Sequence, residues 1–139
     1  MSIDFDSELK KIPFEGQEID MEQLYCFIDA LDEDPKKRDA VPAIFRFIEA
    51  HSDKDLGSPG PLVHFIEEES DYFIELENSA LRKPTDLTVW MINRIINGAE
   101  PNDRRRWLAI LAEIACNPNA DAETIESAKE FIEYQSEKI

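Results

Sequence analysis

Residues 84–98 read PTDLTVWMINRIING. A proline and a threonine precede the apolar run and a glycine follows it, the signals of a helix opened at Thr85 and closed at Gly98. At 100° per residue, Leu87, Val89, Met91, Ile92, Ile95 and Ile96 fill one broad arc, and Asp86, Trp90, Asn93, Arg94 and Asn97 fill the rest. A tryptophan among polar side chains marks either an interaction surface or the inside of a stack whose polar groups tie neighbouring helices together. In a stack, the middle helix touches neighbours on two sides. Trp90, Asn93, Arg94 and Asn97 are therefore expected to be fold determinants, with the polar three meeting carbonyls at a neighbouring helix end. Arg94, four residues after Trp90, is placed to stack on its ring, and a buried, paired guanidinium there would contribute about 1–3 kcal/mol.

Outward from this helix, periodicities near 3.6 dominate and alternating strand patterns are hard to find. A short segment near Ser2 to Lys11 comes first. Asp20 to Leu31 then places Met21, Leu24, Tyr25, Phe27, Ile28 and Leu31 on one face. Asp34 and Pro35 open a helix through Phe45, Phe47 and Ile48, with Pro42 in its first turns or at a second start, and 51–57 is a loop. Further starts fall at Ser58, at Ser70 or Asp71, at Thr85, at Asn102 or Asp103, and at Asp121, each with a cap or a proline. Pro84, Pro101 and Pro118 recur every 17 residues, about one helix and a turn. The expected fold is all-α, a single helical domain over 1–139 with about eight helices in antiparallel hairpins. It is either an α-solenoid of the HEAT-like kind or a compact irregular helical bundle.

With 42% apolar residues, the chain of 139 residues has enough for a core despite 33% charged ones. Its net charge of −16 disfavours nucleic acid and anionic membrane surfaces and favours basic partners. The start MSIDFDSELKKI has neither the basic residues nor the apolar run of a signal peptide, and no segment is long enough to span a bilayer. The expectation is a cytoplasmic protein, monomeric when free, with Cys26 and Cys116 as buried or half-buried free thiols.

Chemistry is poorly provided for. His51 lies in a loop, and His64 beside Phe65 reads as a helix residue tucked against the core or bonded to a carbonyl. No serine or cysteine sits in a nucleophile-like turn. Four glycines build no phosphate-cradling loop. Asp53, Asp55 and Gly57 hint at a calcium loop, but the glycine falls one place early and His64 stands where the bidentate glutamate belongs. Asn117, Asn119 and Asp121 lack a closing acid. No catalytic residue, cofactor or metal is assigned, and the chain reads as a non-enzyme.

The acids, in contrast, are ordered. Glu123, Glu126, Glu130, Glu133 and Glu137 step by three and four along one stripe. Glu22, Asp29 and Glu33 make a shorter row, and Glu67, Glu68, Glu69 and Asp71 cluster where two helices meet. Residues 1–34 carry a net charge of −9 and residues 58–81 one of −6, whereas 82–106 come to +3. Like charges at helical spacing cost a few tenths of a kcal/mol per pair, and a basic partner would turn that penalty into attraction. Glu67, Glu68, Glu69 and Asp71, with no base next to them in sequence, are the first choice for a partner-binding surface. Glu22, Asp29 and Glu33 follow, then Glu126, Glu130 and Glu133.

The runs GSPGPLVHFIEE and YFIELENSALRKPTDLTVWMINRIING resemble the α-helical immunity proteins of bacterial contact-dependent growth inhibition and related polymorphic-toxin systems. The similarity covers roughly Ser58 to Tyr134. It falls on Pro61, His64, Tyr72, Ser79, Arg82, Pro84, Thr85, Asn93, Arg94 and Asn97. The resemblance implies a cytoplasmic inhibitor that binds a cognate toxin domain, often a nuclease, and blocks its active site or substrate access. It also implies that most of these positions determine the fold, because toxin-facing residues vary with the toxin. A nuclease must bind phosphates and is usually basic, so an acidic inhibitor suits it. The alternative is a helical-repeat adaptor or scaffold for a basic protein or peptide.

Overall fold

The computed structural model describes residues 4–57, 59–69 and 71–137. Among them the chain forms eight α-helices, one 3-10 turn and a single two-stranded hairpin, so the fold is all-α, as the periodicity predicts. The helices are α1 (Phe5–Lys10), α2 (Met21–Asp32), α3 (Ala40–Ala50), α4 (Gly60–Glu68), α5 (Phe73–Arg82), α6 (Asp86–Asn97), α7 (Pro101–Ala115) and α8 (Ala122–Ser136). Two compact units divide the chain, Met1–Glu75 and Leu76–Ile139.

In the first unit, α1 packs on α3 and α2 on α4. Leu9, Leu24, Ile44, Phe45, Leu62 and Ile66 are at the centre, each 1% exposed or less. Asp4 caps α1, its carboxylate accepting from the Ser7 N–H at 3.2 Å and the Ser7 hydroxyl at 2.8 Å. Asp20 caps α2 through the Gln23 N–H at 3.1 Å.

The helix expected from Asp34 begins differently. Asp34 Oδ1 takes the Lys36 N–H at 2.8 Å in a tight turn, Lys37–Asp39 form the 3-10 turn, and the α-helix starts at Ala40. Pro42 then falls in the first turn, where its missing N–H deprives the helix of nothing. The hairpin, β1 (Phe14–Glu15) against β2 (Glu18–Ile19), was not expected. Strands of two residues cannot display alternation, and the only cue is Gly16, at φ +63°, between Phe14 and Ile19. Asp55 anchors the hairpin, giving its N–H to the Gln17 carbonyl at 2.7 Å and taking the Ile19 N–H at 3.0 Å. Around it, Phe14 stacks on His51 with centroids 4.9 Å apart, and His51 Nδ1 lies 2.9 Å from the Phe47 carbonyl oxygen.

In the second unit, α6, α7 and α8 pack pairwise against one another. α6 opens at Thr85, as the quoted stretch implies, and there Thr85 and Thr88 form a reciprocal capping box. α7 starts at Pro101, with Glu100 in the capping position. Asn102 and Asp103, expected as caps, lie inside its first turn, because a proline at the first helical position presets φ and needs no donor. Asp121 does precede α8, but its side chain makes no cap bond and instead accepts from Lys83 Nζ at 3.2 Å. The starts at Ser58 and Ser70 lie outside the described residues.

Candidate protein-binding surface

The polar side chains of α6 are divided between two tasks. Gln135, fully buried near the end of α8, donates its amide to both Asn93 Oδ1 and Asn97 Oδ1 at 2.8 Å. This tie between helices is the role expected of the two asparagines, although their partner is a side chain rather than a helix-end carbonyl. The carbonyls are met by Arg104, whose guanidinium donates to the Gln135 oxygen at 2.9 Å and the Ile96 oxygen at 3.4 Å. Arg94 is exposed, not buried, with its Cζ 5.3 Å from the Trp90 ring centroid. Its guanidinium lies over the ring of half-buried Trp90 at the surface.

Of the ten positions carrying the motif resemblance, four are interior, and Asn93 and Asn97 make the tie to α8. Pro61, Ser79, Pro84 and Thr85 are buried, and the Arg82 carbonyl accepts from Asn119 Nδ2 at 3.3 Å. His64 departs from expectation. It is exposed on α4, because the buried face there is made by Leu62, Val63, Phe65 and Ile66. Both cysteines are also exposed rather than buried: Cys26 lies on the outer face of α2, and Cys116 ends α7.

The acidic rows differ from one another. In the cluster at the end of α4, two bases distant in sequence intervene. Lys37 Nζ is 3.8 Å from Glu69, whose side chain is only 10% exposed, and Arg38 donates to the Asp71 carbonyl at 3.0 Å and to Glu75 at 2.8 Å. Asp71 has φ +59°, a left-handed turn held in place by the Arg38 contact. Glu68 is exposed and Glu67 half-buried. The expectation of an uncompensated cluster is therefore corrected: folding brings the 3-10 turn's cations to it.

On α2 no such compensation occurs. Glu22, Asp29, Asp32 and Glu33 are all exposed, and among the described residues none is ion-paired. Tyr25 stands among them with 51% of its surface in solvent, although the helical pattern suggested an inward position. The signal was present in the angles, since Tyr25 lies between Asp29 and Asp32 on the helical projection, at the edge of the apolar arc. On α8, Glu123, Glu126, Glu130, Glu133 and Glu137 are exposed as expected, with Lys129 in their midst. Other exposed apolar groups are Phe73, Ile74, Leu81 and Tyr134. The rows of α2 and α8 both combine exposed acids with an exposed tyrosine, Tyr25 or Tyr134, but only α2 has no base on its own helix, so its field is the less diluted of the two.

A cleft of about 220 Å³ flanks this face, lined by Phe5 and Glu8 of α1 and by Phe27, Ala30, Leu31 and Asp34. Sequence reasoning did not single out these residues, because the cleft exists only once α1 and α2 are brought together. Among the described residues no three His, Cys, Asp or Glu side chains converge as metal ligands, and no helix is long and apolar enough to cross a membrane. No family model matches the chain, nor does any curated protein or solved structure.

Proposed function

We propose that this chain is an immunity-type inhibitor, which captures a basic toxin domain on the acidic face of α2 and blocks its active site or access of its substrate. The observation that carries the reading is the unpaired carboxylate field of Glu22, Asp29, Asp32 and Glu33 around half-exposed Tyr25. The motif resemblance between Ser58 and Tyr134 adds independent support. Carboxylates with no internal partner keep their long-range field, which raises the encounter rate with a cationic domain. Tyr25 can then bury a large ring at little entropic cost. On this reading the protein works by occupancy in the cytoplasm, with no cofactor and no reaction of its own.

Growth rescue tests the proposal: the reading frame adjoining this gene is expected to encode a toxic basic domain, and it is expressed with and without the chain. Rescue is expected with the wild type and lost with Glu22→Lys/Asp29→Lys/Glu33→Lys. The same triple variant should associate more slowly, by tenfold or more at low salt, and depend less on salt. Glu126→Lys/Glu130→Lys/Glu133→Lys on α8 serves as control. Rescue undiminished by the α2 reversals would move the interface elsewhere, and a captured basic chain with no toxic activity would favour an adaptor instead.

A further inference from the structure

The acidic face of α2 adjoins the cleft between α1 and α2, and the cleft has a chemistry of its own. Phe5 and Phe27 supply aromatic walls and Ala30 and Leu31 aliphatic ones, with the carboxylates of Glu8 and Asp34 as its only charged lining. At about 220 Å³ it is smaller than the ~300–1,000 Å³ of pockets for drug-sized ligands. That volume suits a single side chain.

The two carboxylates are only partly engaged. Glu8 Oε1 holds Lys11 Nζ at 3.0 Å, a pair exposed on both sides, and such surface pairs are worth little and exchange readily. Asp34 Oδ1 accepts the Lys36 N–H. The second oxygen of each remains available, and anionic acceptors above aromatic walls match one ligand chemistry: an alkyl stem ending in a delocalised cation.

We propose that this cleft is the anchor pocket for a guanidinium-bearing side chain, an arginine of the basic partner, with its stem against Phe5 and Phe27 and its head between Glu8 and Asp34. The inference rests on the reading of α2 as the face for a basic partner, and it names the residue type that docks beside that face. Arginine fits better than lysine, because a planar fork can engage two carboxylates while stacking on a ring. Phe27, Ala30 and Leu31 lie roughly 120–160° from Tyr25 around α2, so the arginine docks at the edge of the acidic face marked by Glu33, on the other side of the helix from Tyr25.

The probe is n-butylguanidinium, titrated into the ¹⁵N-labelled full chain at low salt, with n-pentanol as a neutral alkyl control. Saturating shifts are expected at the Phe27, Ala30 and Leu31 amides with the cation and not with the alcohol. Glu8→Gln/Asp34→Asn should weaken the response at least tenfold. The second of these changes leaves an amide oxygen to accept the Lys36 N–H, so the local turn is retained. No shift at these amides overturns the proposal. So does an equal response to pentanol, which would make the cleft merely greasy, or an unchanged response in the double variant. A toxic partner still neutralised by Glu8→Gln/Asp34→Asn but not by the α2 reversals would likewise remove the cleft from the interface while leaving the acidic face in place. Cation binding in the cleft without any neutralised toxin would instead sink the immunity reading and leave the pocket.

Discussion

At the scale of single residues, α6 separates side chains that look equivalent in sequence. Asn93, Arg94 and Asn97 share one polar arc, yet the asparagines reach a buried glutamine and the arginine stays at the surface. Gln135→Ala removes two hydrogen bonds and leaves both asparagine oxygens without their donor. It should lower unfolding stability by about 2 kcal/mol, measured from the denaturant midpoint at constant slope. Arg94→Ala acts at an exposed position, where the cation–π contact with Trp90 is worth about 0.5–1 kcal/mol and surface polar contacts contribute little, and should cost less than Gln135→Ala. Equal losses for the two variants would show that the buried tie carries no special weight. The asparagines' role was legible from the helical wheel, while the identity of their partner was not. Gln135 lies 38 residues beyond Asn97, and its position on the acidic α8 gives no hint of burial. Arg94 and Arg104 differ in the same way, since their sequence contexts are both polar and only packing decides which one meets the carbonyls.

At the scale of elements, the caps were the most legible feature wherever a side chain closes the first turn, as Asp4, Asp20 and Thr85 do. They misled where a proline or a short turn sets the start, at Pro101 and Asp34. Strands of two residues left no pattern to read, and the neutralising cations of the α4 cluster come from 3-10 residues more than thirty positions away. Legibility therefore followed the range of the interaction: contacts within one turn were visible, and contacts across the fold were not. The Asp4 cap makes a prediction of its own. Bonds from the Ser7 hydroxyl, then the Ser7 N–H, hold its carboxyl below the ordinary aspartate value of 3.8. Protonation is thus disfavoured in the folded state. The cap's contribution is complete above that ordinary value and is lost as pH falls through the lower, folded one. The Ser7 amide resonance should titrate in that more acidic window. A midpoint at or above the ordinary aspartate value would mean that the cap bond does not persist in solution.

Across the whole molecule, charge is divided unevenly. The first unit carries 20 acidic and 7 basic residues, a net charge of −13, and the second 11 acidic and 8 basic, a net of −3. Self-repulsion in the first unit opposes its own folding. Raising NaCl from about 0.01 M to about 0.15 M shortens the screening length from ~30 Å to ~8 Å. The melting temperature should therefore rise over this range, monitored by circular dichroism at neutral pH, and a flat or falling profile would show that the internal ion pairs outweigh the repulsion.

The thiol of Cys26 projects from the outer face of α2, beside Glu22 and Asp29. It is in effect a gauge already installed in the candidate interface, with Cys116 on another helix as the reference. The ratio of Cys26 to Cys116 modification rates should be lower with an anionic disulfide reagent such as dithiobis-nitrobenzoate than with a cationic one such as cystamine, and added salt should bring the two ratios together. A partner seated on α2 would shield this thiol, so occupancy of the face can be read as a fall in its alkylation rate, with no substitution in the protein.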